Sequence, residues 1–190
     1  YTWLNNDWVA NTRYTYAYDN AGREVEYITL TRDANTNQLV NSNKRVREYN
    51  AAGKKILEEQ YTGYVNEAWV GSSKELWEFN GPSSKQTLHE KYGWANSAWA
   101  ISLQENNGYD AAGNTTLVEN YSITSGVWKG TKKEESVYNS AKKKTSYIVY
   151  KWSNSAWVGN TKEIWEFNGP SSKQTLHEKY SWSNSDWAIT

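Results

Sequence analysis

The sequence predicts an all-β protein: an antiparallel β-hairpin repeat array, in which a meander of about a dozen strands forms a single twisted or spiralling sheet. Three observations lead to this prediction. A pair of turn motifs recurs with a period of 29–31 residues along the 190-residue chain. About ten residues separate successive turns, which is the length of a long strand. Aromatic side chains, 12 Trp and 15 Tyr, provide the apolar surface that a folded sheet needs.

The first recurring turn begins with an aromatic residue followed by Asp or Asn. The Asx side chain caps a type I turn by accepting backbone hydrogen bonds, and a following glycine takes the left-handed conformation that closes the hairpin with a bulge. Two of the turns contain the longer sequence Asn-Gly-Pro-Ser-Ser, at 80–84 and 168–172. The motif stands at Tyr18-Asp19, Tyr49-Asn50, Phe79-Asn80, Tyr109-Asp110, Tyr138-Asn139 and Phe167-Asn168.

The second recurring turn is a loop of four residues between an aromatic residue and a tryptophan, and its middle is rich in Asn and Ser. A loop of this length places the two aromatic residues opposite each other on neighbouring strands, where their side chains contact. The loop occurs as Trp3…Trp8, Tyr64…Trp69, Trp94…Trp99, Trp152…Trp157 and Trp182…Trp187.

The two turns keep a constant spacing, which defines the repeating unit. The residue that ends the second turn, usually Trp, lies 11 residues before each Asx. The segment from Trp77 to Tyr92 returns unchanged at Trp165 to Tyr180, which indicates that a block of units was duplicated. We therefore predict a single repeat array over 1–190, with units at approximately 8–38, 39–68, 69–98, 99–127, 128–156 and 157–186. Because the chain starts and stops within a unit, we expect a fragment of a longer array.

Counting outward from the tryptophan loops predicts which residues face each other across the sheet. Tyr121 is expected between Ile101 and Gly130, Tyr150 between Gly130 and Gly159, and Tyr180 between Gly159 and Ile189. A tyrosine beside a glycine on a neighbouring strand is a stabilising arrangement in β-sheets. The same counting predicts one long aromatic row on one face.

Side chains alternate along a strand, and this alternation assigns the other residues to the two faces. We predict that a second aromatic group shares the face of the row, and that the opposite face is charged and mostly solvated. The second aromatic group consists of Tyr16, Tyr18, Trp77, Phe79, Trp165 and Phe167. The predicted charged face carries Arg13, Lys44, Lys74, His89, Lys91, Lys133, Lys162, His177 and Lys179.

The composition and the titratable residues argue against an enzyme. The 21 basic and 21 acidic side chains balance, whereas a nucleic-acid partner requires an excess of positive charge. The absence of Cys excludes thiol chemistry and disulfides. His89 and His177 each have no second histidine nearby for a metal. The adjacent carboxylates Glu58 and Glu59 point to opposite faces of a strand, unlike a glycosidase pair.

We therefore predict no catalytic residue, no metal site and no cofactor. The partners are not expected to include a nucleic acid. The longest apolar runs are also far shorter than the roughly 20 residues that span a bilayer, so no membrane insertion is expected.

The stretches Tyr-Ala-Tyr-Asp-Asn-Ala-Gly-Arg at 16–23 and Gly-Tyr-Asp-Ala-Ala-Gly-Asn at 108–114 resemble the YD repeats of bacterial Rhs-type proteins. They are also similar to the Tyr-Asp-x-x-Gly β-hairpin repeats of secreted or surface proteins of Bacteroidetes-type bacteria. The resemblance implies hairpins joined into one continuous, often spiralling antiparallel sheet outside the cytoplasm. The period of 29–31 residues, the tryptophan loop and the two Gly-Pro-Ser-Ser turns depart from the YD pattern.

Two functions from different classes fit these features. The first is a non-enzymatic structural scaffold or adhesin stalk of an extracellular or bacterial cell-surface protein, in which the aromatic row is core. The alternative is a carbohydrate-binding module, in which part of the row is exposed and repetition supplies avidity. The expected partner is a glycan or another surface protein, and sheet edges also allow self-association. The candidate ligand-binding residues are Trp69, Trp77, Trp94, Trp99, Trp128, Trp152, Trp157, Trp165, Trp182 and Trp187.

Overall fold

The computed structural model describes residues 1–4, 6–80, 85–169 and 173–190, and within these ranges all helical or strand structure is β-strand. The strands are β1 (Thr2–Leu4), β2 (Asp7–Val9), β3 (Thr12–Tyr18), β4 (Glu24–Arg32), β5 (Leu39–Tyr49), β6 (Lys55–Val65), β7 (Ala68–Phe79), β8 (Gln86–Ala95), β9 (Ala98–Tyr109), β10 (Thr115–Thr124), β11 (Val127–Tyr138), β12 (Lys144–Ser153), β13 (Ala156–Phe167), β14 (Gln174–Ser183) and β15 (Asp186–Ile189). Strands β1 and β2 form a two-stranded sheet, and β3 to β15 follow one another in a 13-stranded sheet. This order confirms the predicted antiparallel meander.

Residue contacts divide the chain into two compact units. Unit 1 comprises residues 1–85 and 90–101, and unit 2 comprises residues 86–89 and 102–190. The division of the array into six repeating units remains a prediction.

The Asx turns form as the sequence predicts. The carboxylate of Asp19 accepts a 2.9 Å hydrogen bond from the backbone amide of Arg23, and the amide of Gly22 donates to the carbonyl of Asp19. Gly22 has a φ of 77°, the left-handed conformation that glycine adopts without strain. The turn chemistry of this hairpin is therefore confirmed.

The two longer turns are described only at their ends, because residues 81–84 and 170–172 lie outside the described ranges. The backbone amide of Asn80 donates to the carbonyl of Lys85, whereas the equivalent bond in a shorter turn joins Asn50 to Lys54. The bond thus spans one residue more, as the sequence predicts for this turn.

The tryptophan loops close tight hairpins. Trp152 pairs with Trp157 in the ladder between β12 and β13. Asn154 and Ser155, the two residues at the tip, have φ values of 51° and 61°. A type I′ turn requires positive φ at both central positions, so the loop chemistry explains the predicted pairing, which is confirmed.

The register across the Asx turns differs from the prediction. Tyr150 faces Gly159 on β13, as predicted, but on β11 it faces Lys133 and not Gly130. The Asx turn fixes the first pairs of the two strands, and the ladder carries that register onward, so successive tryptophan hairpins are not aligned. The other positions are offset in the same way, with Gln104 instead of Ile101 opposite Tyr121 and Lys162 instead of Gly159 opposite Tyr180.

A β-bulge follows the glycine in the strand after a tryptophan hairpin. In β11, Tyr121 faces Gly130 while Asn120 faces Lys132, so Thr131 is the extra residue. One extra residue reverses the face to which every later side chain points. We call the face of each unit that carries the tryptophan pairs its Trp face, and the opposite one its second face.

The bulge corrects two predictions about the faces. Arg13 and four of the lysines expected on a charged face lie on the Trp face, and the second aromatic group lies on the second face, whereas His177 and Lys179 lie opposite the tryptophan pairs as predicted. Both faces therefore carry aromatic and charged residues. The corrected positions are Arg13, Lys44, Lys74, Lys133, Lys162, Tyr16, Tyr18, Trp77, Phe79, Trp165 and Phe167.

Burial is shallow in the part of the chain that the structure describes. Leu57 and Ile123 are the buried hydrophobic side chains, and none of the large side chains described is less than 2% exposed. The glycines Gly71, Gly130 and Gly159 are also buried. Side chains therefore protect one another along each face instead of filling an enclosed core.

Candidate functional site

In unit 2, a tryptophan pair packs on a glycine of the preceding hairpin. The rings of Trp152 and Trp157 contact edge to face, with centroids 5.0 Å apart. A Cβ built on Gly130 would lie closer to ring carbons of both indoles than van der Waals contact allows. A glycine in a strand often marks such a close approach, and here the missing side chain leaves room for both indoles. We call this contact of a tryptophan pair with a glycine the glycine seat. Gly159 seats the pair of Trp182 and Trp187 in the same way, at 2.7 and 2.9 Å from a built Cβ.

Unit 1 contains the same arrangement. The centroids of Trp94 and Trp99 are 4.8 Å apart, and both rings would overlap a Cβ on Gly71. Trp99 also contacts Tyr61 edge to face at 5.9 Å. Tyr61 lies opposite Gly71 in the ladder, so the indole reaches across the glycine strand to the tyrosine beyond it.

Tyr121 is at the centre of the corresponding cluster in unit 2. Its ring lies 5.7 Å from Trp128, 5.8 Å from Trp152 and 5.8 Å from Trp157. Its hydroxyl accepts a 2.9 Å hydrogen bond from Nε1 of Trp157. Sequence reasoning placed Tyr121 beside Gly130 but gave it no role. The signal for its role was the glycine itself, which indicates a close approach by another group.

The ten candidate tryptophans differ in position and in accessibility. Trp128 is 43% exposed, whereas the other nine are half-buried. Trp77 and Trp165 lie on the second face, away from the tryptophan pairs. The candidates on the Trp face of their own unit are Trp69, Trp94, Trp99, Trp128, Trp152, Trp157, Trp182 and Trp187. Sequence reasoning did not include Trp3 and Trp8, which are 54% and 64% exposed.

A lysine on the Trp face of unit 2 joins an aromatic ring to two carboxylates. The ammonium of Lys133 lies 5.1 Å from the ring centre of Tyr150 and 3.2 Å from Glu119. The hydroxyl of Tyr150 donates a 2.7 Å hydrogen bond to Glu135. Burial and this bond to a carboxylate raise the pKa of Tyr150 to about 12.

The equivalent lysine of unit 1 is Lys74. Its ammonium lies 2.9 Å from Glu59 and 5.9 Å from the ring centre of Tyr92. The hydroxyl of Tyr92 donates a 2.5 Å bond to Glu90, and burial together with this bond raises the pKa of Tyr92 to about 12. The recurring cation–π and ion-pair contacts stabilise the Trp face.

The second face of unit 1 carries a charge network around Glu58. Its carboxylate accepts hydrogen bonds of 2.8 Å from Arg47, 3.0 Å from Lys55 and 3.0 Å from Gln60. Burial raises the pKa of Glu58, but these bonds outweigh burial and lower it to about 2. The neighbouring Glu59 pairs with a lysine of the Trp face, so the two carboxylates point to opposite faces as the sequence predicts.

The second face of unit 2 carries an aromatic stack between strands β13 and β14. The indole of Trp165 and the imidazole of His177 are 5.1 Å apart and nearly parallel, at 15°. Nε2 of His177 lies 2.6 Å from Glu163, on the same strand as Trp165. The histidine thus backs one side of the indole and has a carboxylate partner of its own.

The described residues contain no group of three or more His, Asp or Glu side chains placed to hold a metal ion. No helix long and apolar enough to cross a membrane occurs in these ranges either.

No protein-family model matches the chain, and no curated protein matches it. Solved structures that are similar to it include a protein of unknown function from Bacteroides fragilis, with a TM-score of 0.40 and 14% identity over 64% of this chain and 89% of that one. A DUF3836 family protein from Bacteroides vulgatus has a TM-score of 0.37 and 17% identity over 48% of this chain and 91% of that one. The TcdB2-TccC3-Cdc42 structure has a TM-score of 0.46 and 13% identity over 94% of this chain and 9% of that one.

Proposed function

We propose that the chain is a non-enzymatic structural module, a scaffold or adhesin stalk of an extracellular or bacterial cell-surface protein. The observation that carries this proposal is the seating of Trp152 and Trp157 on Gly130 of the preceding hairpin. Half-buried aromatic side chains are used here to attach one hairpin to the next. In a repeat array such nearest-neighbour interfaces provide much of the stability. The extracellular placement rests on the resemblance to YD-type repeats.

Single-molecule force measurement tests this proposal. A chain pulled from its two ends is expected to resist extension and to unfold in discrete force peaks, because each interface between hairpins has to break. Substitution of Gly130 by Ala is expected to lower the force of one of these events. Smooth extension without force peaks would contradict the role of a scaffold or stalk.

The alternative function is carbohydrate binding, and the exposure of Trp128 favours it. This indole is 43% accessible to solvent and is held in place by Tyr121. An aromatic side chain that is both exposed and positioned suits stacking against the apolar face of a sugar ring. Affinity electrophoresis of the wild-type chain in gels that contain neutral polysaccharides tests this alternative. Unchanged mobility in every gel would contradict it.

Self-association through sheet edges is a further proposal about partners. Strand β3 is the first strand of the 13-stranded order, and all seven of its residues are exposed. Its tyrosines Tyr14, Tyr16 and Tyr18 are 54%, 51% and 60% exposed. An exposed edge strand is a template for pairing with another chain. Sedimentation over a concentration series is expected to detect association, and a strictly monomeric profile would contradict it.

A further inference from the structure

Trp77 and Trp165 occupy identical sequence segments but have different neighbours. The segments from Trp77 to Tyr92 and from Trp165 to Tyr180 are the same, so any difference at the two indoles comes from residues outside these segments, and one source is the strand that precedes each of them. That strand is β6 in unit 1 and β12 in unit 2. The chain thus contains an internal comparison between two environments of one tryptophan.

In unit 1, the ammonium of a lysine lies over the ring of the tryptophan. The ammonium of Lys55 lies 4.5 Å from the ring centre of Trp77. The same ammonium donates a 3.0 Å hydrogen bond to the carboxylate of Glu58. A ligand that stacked on this side of Trp77 would have to displace a cation that is bound both to the ring and to a carboxylate.

In unit 2, the ammonium of the equivalent lysine lies over tyrosine rings instead. Lys144, which like Lys55 is the first residue of its strand, lies 4.1 Å from the ring centre of Tyr147 and 6.0 Å from that of Tyr138. Tyr147 stands where Glu58 stands in unit 1, three residues after the lysine. The exchange of a carboxylate for an aromatic ring therefore draws the ammonium away from Trp165.

An open groove of about 450 Å³ lies beside Trp165. One side of the indole is covered by His177 of β14. The groove borders Thr145 of β12, the strand on the other side of β13, and His177 is not part of its lining. The residue at the position of Thr145 in unit 1 is the bulkier Ile56. The groove is lined by Asn139, Thr145, Trp165, Glu166, Phe167 and Gly169.

We propose that this groove binds a neutral sugar ring of a glycan, with the indole of Trp165 as the stacking surface. The lining combines two aromatic side chains with the uncharged polar residues Thr145 and Asn139, and this mixture matches a neutral pyranose, which has an apolar ring face and hydroxyl groups at its edge. His177 holds the indole from behind, so little ordering is needed on binding.

This inference rests on the carbohydrate-binding alternative, and it predicts that the two identical segments differ in binding. Affinity electrophoresis and titration calorimetry with laminarin, galactomannan, xyloglucan and dextran provide the test. With the polysaccharide that binds the wild type, Trp165→Ala is expected to weaken affinity by about tenfold or more. Trp77→Ala is the matched control and is expected to change affinity by less than about threefold.

A second variant separates loss of binding from loss of folding. Thr145→Ile introduces the residue of unit 1 into the groove, keeps every aromatic side chain and suits a strand. It is expected to weaken binding while the near-ultraviolet circular dichroism of the tryptophans is unchanged. Full affinity of a folded Thr145→Ile chain would overturn the proposal.

The remaining outcomes distinguish this inference from the function on which it rests. Binding that is lost in Trp128→Ala and kept in Trp165→Ala would overturn the groove and support carbohydrate binding elsewhere. Equal loss in Trp77→Ala and Trp165→Ala would also overturn it, because the two environments would then be equivalent. The absence of binding to all four polysaccharides would overturn both.

Discussion

The indole nitrogen of Trp157 donates a hydrogen bond of 2.9 Å to the hydroxyl of Tyr121, although 36 residues separate the two in the sequence. The bond crosses the strand that carries Gly130, which lies opposite Tyr121 and beneath the ring of Trp157. A tryptophan of one hairpin is thereby attached to the hairpin before it. Two features of this attachment, and one titratable side chain in each unit, lead to measurable predictions.

The hydrogen bond itself is expected to contribute to stability. Trp157→Phe removes the donor and should lower the free energy of unfolding by about 0.5–1.5 kcal/mol, to which the lost ring area adds. Urea denaturation at neutral pH measures this change. Tyr121→Phe removes the other partner, and the double variant should be less destabilised than the sum of the two single variants. Strict additivity would contradict a direct bond between the two side chains.

The glycine seat is expected to tolerate no side chain. Gly130→Ala should lower the free energy of unfolding by about 1–3 kcal/mol, because its methyl group overlaps Trp152 and Trp157. Gly93→Ala is the matched control, since a Cβ at this strand position meets nothing within 4 Å. Thermal or urea unfolding of the two variants provides the comparison. Equal stability of the two would show that the indoles are not seated on Gly130.

The sequence predicts much of this fold because its turns are local. The Asx and glycine residues specify one hairpin, as at Asp19 and Gly22, and the aromatic-x4-Trp spacing specifies the other. Each of these turns depends on neighbouring residues alone, so its pairing follows from the sequence. The meander follows in turn from alternating the two hairpins.

The two faces could not be predicted in the same way because a bulge has no strict sequence signature. Phe167 follows Trp157 by ten positions, an even number, so regular alternation places the two on one face. The extra residue after Gly159 places them on opposite faces. The local signal in the sequence is a pair of consecutive polar residues, Asn160 and Thr161, and both are exposed in the structure. The seat on Gly130 and the groove beside Trp165 both depend on this bulged geometry, which explains why the candidate list did not separate the tryptophans.

Acid is expected to lower the stability of unit 1 because Glu58 becomes protonated. The pKa of this carboxyl is about 2 in the folded chain against 4.5 ordinarily, so the unfolded state binds the proton more readily. The contribution of Glu58 is complete above pH 4.5, and it is lost as the pH falls from 4.5 to about 2. It amounts to no more than about 3 kcal/mol.

Comparison with Glu58→Gln isolates this contribution from those of the other carboxylates. The variant should be less stable than the wild type at pH 7, and the difference should shrink as the pH falls from 4.5 to about 2. Urea unfolding at a series of pH values measures both curves. A difference that does not change over this range would show that Glu58 is not the titrating group.

Alkali is expected to lower the stability of unit 2 because Tyr150 becomes ionised. Its pKa is raised from 10.0 to about 12 by burial and by the bond to Glu135, so the folded state holds the phenolic proton more tightly than the unfolded state does. The stability that this proton provides is present below pH 10 and is lost as the pH rises from 10 to about 12. The difference in unfolding free energy between the wild type and Tyr150→Phe should therefore fall across that interval.

Ultraviolet titration of Glu135→Gln provides the control, because without the carboxylate one tyrosine should ionise closer to pH 10. An unchanged titration curve in that variant would contradict the pairing of Tyr150 with Glu135.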